Sequence, residues 1–147
     1  MKLERPVVDN AWERQVGSLR IASRFSCRKV VRITNVKGHN MHSPERYAEL
    51  IKLAMPEFIE VKGYSHVGDS QKRLPREAMP LWPDVKAWAR EIAKSAGYIY
   101  ADEFEHARVV LLCRDGKLLD GVMENIAKSE YPNCVSPDTE GEQGNAF

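Results

Sequence analysis

Apolar residues recur at helical spacing near the start of the chain. Trp12, Val16 and Leu19, with Ser23 beyond them, are separated by charged and polar positions. This predicts a helix over about 10–24, capped by Asp9 or Asn10. The β-branched run Lys29 to Val36 then reads as a strand ended by Gly38. Ser43-Pro44 starts a second helix with the stripe Tyr47, Leu50, Ile51 and Ala54, stopped by Pro56. Phe58 to Val61 is a short strand ended by Gly63, and a long polar connection runs from Tyr64 to Pro80. Loops of that length without structure are usually functional. Pro83 opens a third helix that buries Val85, Trp88, Ala89 and Ile92 and ends at Gly97. Tyr98–Tyr100 is a short strand candidate, and Arg108–Cys113 a buried strand. Lys117–Lys128 predicts a last helix, and the polar run after Tyr131 predicts a disordered tail.

Strands alternating with helices of this length imply an α/β fold, mostly parallel strands with crossover helices. The strand over 107–113 has the alternative of pairing antiparallel at an edge. One echo stands out. Val36-Lys37-Gly38 and Val61-Lys62-Gly63 each close a strand and open a loop. In parallel α/β folds such strand ends face the active site. Both lysines are therefore expected on one face, on neighbouring strands.

Composition narrows the class. The chain has 147 residues, 43% hydrophobic and 29% charged, as expected of one domain or part of a larger one. No apolar run reaches the length of about 18 residues that a membrane helix needs. The opening MKLERPVVDNAWERQ has no apolar stretch of signal-peptide type, so a cytoplasmic location is expected. Cys27, Cys113 and Cys134 are odd in number and widely spaced, which argues against a disulfide framework. They form no C-x-x-C and no C-x3-C-x2-C, so no zinc or iron–sulfur ligand set is expected and no metal-binding residue is assigned.

Charge is uneven. Residues 1–100 hold 18 Lys or Arg against 11 Asp or Glu, while residues 101–147 hold 4 against 10. Arg20 to Lys37 contains six basic residues and no acidic one. Such a block suits a polyanion, or else is a solvated helix face leading into a strand. Lys72, Arg73 and Arg76 in the long loop would extend it into a basic rim.

Several residues have chemistry to offer. Lys37 and Lys62 either bind an anion or form a Schiff base, or they cap strand ends and face water. Glu60 interrupts an apolar strand, so it either meets a lysine or faces water at an edge. His66 is either a general acid–base group or a plain loop residue. His39 and Asn40 follow the first Lys-Gly turn and could reach the same mouth. Tyr64 and Trp82 could stack on a base, or Trp82 packs at a helix start; Trp12 and Trp88 belong in the core; the cysteines are bystanders.

The runs RITNVKGHNM, YAELIKLAMPEFIEVKGYSHVGDSQKRLPREAMPLWPDVKAWAREI and DEFEHARVVLL together resemble the C-terminal part of the 4-demethylwyosine synthase family. RPVVDNAWERQVGSLRIAS resembles the helix before that region, so the likeness covers roughly residues 5–114. The resemblance implies the C-terminal half of a partial (β/α) TIM-like radical-SAM barrel over residues 1–114. A C-terminal helix over 115–130 and a polar tail over 131–147 follow it. It implies a lyase reaction that uses S-adenosylmethionine and 4Fe–4S clusters. In it, two carbons of pyruvate join N1-methylguanosine beside the anticodon of phenylalanine tRNA. The cluster cysteines are absent from this chain, so a missing N-terminal half or a partner chain would supply them. Through the resemblance, Lys37, Glu60 and Lys62 are candidate catalytic residues. Thr34, Asn40, Tyr64, His66, Gly68 and Ser70 are candidate substrate contacts, and Arg28, Lys29, Lys72, Arg73 and Arg76 candidate tRNA contacts. Two further readings remain open: a stand-alone tRNA-binding module without catalysis, and a small lysine-dependent carbonyl lyase.

Overall fold

In the computed structural model of the chain, residues 8–120 are described. The order is α1 (Ala11–Ala22), β1 (Val30–Asn35), α2 (Pro44–Ala54), β2 (Phe58–Gly63), α3 (Trp82–Ala96), β3 (Ile99–Phe104) and β4 (Val109–Cys113). Two short 3-10 turns, Gly68–Lys72 and Arg76–Ala78, lie in the connection before α3. Residues 116–120 are helical. The rest of the expected 115–130 helix and the expected tail lie outside the described residues.

The helices follow their apolar stripes. In α3, Val85, Trp88, Ala89, Ile92 and Ala93 are buried, three and four residues apart, and the helix stops at left-handed Gly97 (φ 75°). In α2, Ala48, Ile51 and Ala54 are buried behind Pro44 in the first turn. Met55 (φ 47°) takes the left-handed position ahead of Pro56. α1 differs, because none of its residues is buried. Trp12 is 58% exposed, so its expected place in the core is not found, whereas Trp88 is buried as expected.

The four strands form an open sheet in the order β1-β2-β4-β3. Only β1 and β2 are parallel, joined through α2; β2–β4 and β3–β4 are antiparallel. The sheet is therefore mixed, and the expectation of mostly parallel strands fails after α3. The reason is connection length. Only Glu105–Arg108 lie between β3 and β4, far too few for a parallel crossover, which takes a dozen or more residues. β4 also sits inside the sheet rather than at its edge.

α3, with Ile51 of α2, packs on one face of the sheet, against Ile33, Ile59, Val61, Val110 and Leu112. Side chains alternate across a strand. The opposite face therefore carries Arg32 and Thr34 from β1 and Glu60 and Lys62 from β2. Among the described residues β1 has a sheet neighbour on one side only. Beside its free edge, α1, β1 and α2 enclose a cleft of about 510 Å³ lined by Trp12, Val16, Leu19, Val31 and Leu50 among others.

Candidate functional site

The register of β1 on β2 decides which chemistry comes together. Arg32 lies opposite Glu60, and Thr34 opposite Lys62. Arg32 Nη2 is 2.7 Å from Glu60 Oε2, and Nε donates to the same oxygen at 2.8 Å. Glu60 thus has a partner, and it is arginine rather than either lysine. Lys62 is half-buried, and its side chain makes no ion pair or hydrogen bond among the described residues. The polar face therefore presents a paired arginine–glutamate, a hydroxyl and an uncommitted ammonium.

The two Val-Lys-Gly triplets do not superpose. Val61 pairs with Ile33, not with Val36. The triplets are offset by three residues, and an odd offset sends side chains to opposite faces. Lys37 accordingly turns toward the start of α3, where its Nζ meets Asp84 Oδ2 at 2.9 Å. Its backbone N–H donates to the Ala78 carbonyl at 2.8 Å. The Lys37 ammonium holds the Asp84 carboxyl below the usual carboxylate range, helped by the Leu81 N–H, while partial burial pushes the other way. Lys37 and Lys62 are not brought to one face.

Asn40 is a brace. Its Nδ2 donates to the Thr34 carbonyl at 2.9 Å and its Oδ1 accepts the Val36 N–H at 2.7 Å. Tyr47 Oη in turn donates to the Asn40 carbonyl at 2.8 Å. Asn40 therefore shapes the turn after β1. Tyr64, His66 and Ser70 do come together. Tyr64 Oη is 3.1 Å from His66 Nδ1 and donates to Ser70 Oγ at 3.2 Å. Ser70 Oγ donates to the Val67 carbonyl at 2.5 Å. Gly68 (φ 56°) supplies the left-handed step that bends the loop back so that Ser70 reaches Tyr64.

The expected basic rim is divided. Arg28 and Lys29 precede β1, and Lys29 is paired with Glu57. Lys72, Arg73 and Arg76 follow β2, beyond the other end of the parallel pair, and Lys72 is paired with Asp69 at 2.8 Å. Six strand residues, roughly 20 Å of backbone, separate the two groups.

Sequence reasoning missed three residues. Arg32 carries no periodic signal apart from its strand position. Arg108 takes a left-handed conformation (φ 51°) and accepts the Gly63 N–H at 2.9 Å through its carbonyl. Asn35 is fully buried beside Gly63, and neither its Nδ2 nor its Oδ1 has a partner among the described residues. Only the close of a strand hinted at Asn35, and nothing in the sequence marks Arg108.

Residues 53–114 match the family model described as wyosine base formation. The tRNA 4-demethylwyosine synthase of Pyrococcus horikoshii is 45% identical over 111 residues, 75% of this chain and 32% of that protein. The Oryza sativa enzyme of the same name is 36% identical over 118 residues, 78% of this chain and 18% of that protein. The chain is a partial member of the tRNA 4-demethylwyosine synthase family. It spans about a third of the length of the archaeal relatives it matches. A solved structure of TYW1 with a lysine–pyruvate adduct bound matches 73% of the chain at TM-score 0.64 and 29% identity, covering 34% of that chain. A crystal structure of archaeal TYW1 matches at TM-score 0.56 and 25% identity over 70% of this chain and 32% of that one. The relatives are named as dependent on S-adenosyl-L-methionine.

The described cysteines, Cys27 and Cys113, do not form an iron–sulfur ligand set. Among the described residues no three His, Cys, Asp or Glu are placed to hold a metal. Cys113 is buried and donates to the Asp115 carbonyl at 2.9 Å. No described helix is long and apolar enough to cross a membrane.

Proposed function

We propose that this chain is the C-terminal part of a tRNA 4-demethylwyosine synthase and forms part of the wall of its active site. The observation that carries the reading is the sheet face opposite the helices, which bears Arg32, Thr34, Glu60 and Lys62, in a chain 45% identical to the archaeal enzyme. The substrates on this reading are pyruvate and N1-methylguanosine beside the anticodon of phenylalanine tRNA. The reaction is the radical-SAM lyase chemistry of wyosine formation in the cytoplasm. Polypeptide beyond this chain supplies the 4Fe–4S ligands, since the cysteines here do not.

The chain's own residues bind and orient. Lys62 is an uncommitted point charge beside the Thr34 hydroxyl, suited to a carboxylate or phosphate of the substrate. The Arg32–Glu60 pair fixes the neighbouring row, so Lys62 is not drawn to Glu60. Of the two lysines, Lys62 is therefore the stronger candidate for substrate contact, and Lys37 positions the start of α3. Tyr64, His66 and Ser70 stiffen the root of the long loop, from which Arg73 and Arg76 extend toward RNA.

The test is to co-express the chain with the N-terminal two-thirds of the P. horikoshii enzyme and look for the tricyclic base in tRNA by mass spectrometry. Product with the natural chain, and at least tenfold less with Lys62→Met, supports the reading. Borohydride trapping of pyruvate on Lys62 would instead make it the Schiff-base lysine. A second reading is a stand-alone tRNA-binding module, favoured by Arg73 and Arg76, which make no ion pair among the described residues. No product with tRNA still bound would select it.

A further inference from the structure

The β3–β4 turn and the loop after β2 enclose a second cleft. It has a volume of about 320 Å³ and is lined by Ser65, His66, Gln71, Arg76 and Arg108, over Val67 and Met79. Two guanidinium groups line it, and neither makes an ion pair among the described residues. Arg108 is held at a backbone angle unfavourable for a side chain with a Cβ (φ 51°). Its N–H donates to the Glu105 carbonyl at 2.8 Å and its carbonyl accepts the Gly63 N–H at 2.9 Å, so the turn fixes where the side chain starts. The guanidinium itself reaches only neutral acceptors, the Pro80 carbonyl and Ser65 Oγ, both at 3.4 Å. Two like charges in one cleft repel each other unless an anion enters between them.

We infer that this cleft is a binding site for one backbone phosphodiester of the RNA substrate, held by Arg108 and Arg76 with Ser65 and Gln71 as neutral donors. This rests on the proposed function and adds to it a point of attachment. Guanidinium forks match phosphate oxygens in shape and charge. The cleft lies at the end of the sheet where Lys62 stands, because Arg108 directly precedes Val109, the strand partner of Lys62, although alternation turns Arg108 toward the α3 side. A phosphate seated there would anchor its nucleotide at that end of the sheet. Arg73 in the same loop, also without an ion pair among the described residues, continues the positive path outward.

The test measures binding of labelled phenylalanine tRNA to the full chain over a range of salt concentrations. The variants are Arg108→Asn, which tolerates the left-handed angle, Arg76→Gln, and Lys94→Gln at the far end of α3 as a control. Each site variant should bind roughly tenfold more weakly, as loss of a charged hydrogen bond predicts. Each should flatten the slope of log affinity against log salt by about 0.7–0.9, and the control should change neither. Circular dichroism confirms folding of each variant. In parallel, NMR follows the Arg108 and His66 side chains during titration with inorganic phosphate and, separately, with pyruvate. Phosphate should shift both residues in the natural chain, and should leave His66 unshifted in a variant that carries Arg108→Asn and Arg76→Gln together. Natural affinity and slope in both folded variants would overturn the site, as would shifts with pyruvate and none with phosphate. Phosphate shifts without any tRNA binding would preserve the phosphate site and overturn tRNA as its source, which is a failure of the functional reading.

Discussion

At the scale of the residue, partners decide what each side chain does. Tyr98 Oη donates to the Pro56 carbonyl at 2.6 Å, and burial pushes its hydroxyl pKa up to about 12. A raised pKa favours the protonated folded state. This contribution is fully present below the unfolded tyrosine value near 10 and is lost as pH rises toward about 12. Tyr100, also pushed up to about 12 by burial and its Glu103 hydrogen bond, loses stability in the same window. Tyr98→Phe should cost about 1 kcal/mol at neutral pH. It should also make the alkaline fall between pH 10 and 12 shallower without abolishing it; denaturant melts across that range check both. The tryptophans give a sharper contrast. Trp88→Ala should cost about 3–5 kcal/mol, as expected for a buried aromatic. Trp12→Ala should change stability by under about 1 kcal/mol, because Trp12 is 58% exposed. Equal losses in chemical denaturation would contradict the burial of one and not the other. Glu60→Gln should also cost under about 1 kcal/mol, since the Arg32 side chain is 61% exposed and water screens the pair. If Glu60 serves the site, product formation in the co-expression assay should fall well beyond that.

At the scale of the element, the start of α3 and the end of β2 carry the arrangement. Asp84 Oδ2 accepts both the Lys37 ammonium at 2.9 Å and the Leu81 N–H at 3.2 Å. Its lowered pKa means that this stabilisation is present above the unfolded carboxylate value near 3.9 and disappears as pH falls through the lower folded value. Asp84→Asn should remove that acid-side component, seen as a smaller drop in melting temperature between pH 5 and about 3. An unchanged drop would mean the ion pair contributes nothing. Gly63 sits where β2, α3 and the β3–β4 turn meet. A Cβ there would lie 3.1 Å from Val85 Cγ2, 3.3 Å from Pro80 Cγ and 3.4 Å from Arg108 Cβ. Gly63→Ala should therefore cost about 1–3 kcal/mol through overpacking. It should also move Arg108, so weakened tRNA binding should accompany the lower melting temperature.

At the scale of the whole molecule, the chain has a free sheet edge and an open apolar cleft beside it. Among the described residues β1 is unpaired on one side, Val30 on it is 55% exposed, and Trp12 and Ile21 of α1 are exposed as well. Free strand edges recruit other strands. The isolated chain should therefore self-associate with rising concentration in sedimentation velocity. Val30→Lys should keep it monomeric with little change in melting temperature. A natural chain that stays monomeric at high concentration would show that the edge is already protected.

Local order determined much of this protein. The stripes of α2 and α3, the Pro44 start, the Gly97 stop and the two strands around residues 30–35 and 58–63 were all readable. Periodicity and backbone preference act within a few residues of each other. The run from Val36 to Ser70, with Lys62, Tyr64 and Ser70 in it, also carried the family resemblance. Tertiary structure alone decided what depends on pairing across the sheet. The three-residue offset between β1 and β2 sent Lys37 to Asp84 and left Lys62 on the polar face. The four residues between β3 and β4 made the second half of the sheet antiparallel and brought Arg108 to the loop after β2. Strand register and turn geometry are set by contacts between residues far apart in sequence, so no local pattern records them.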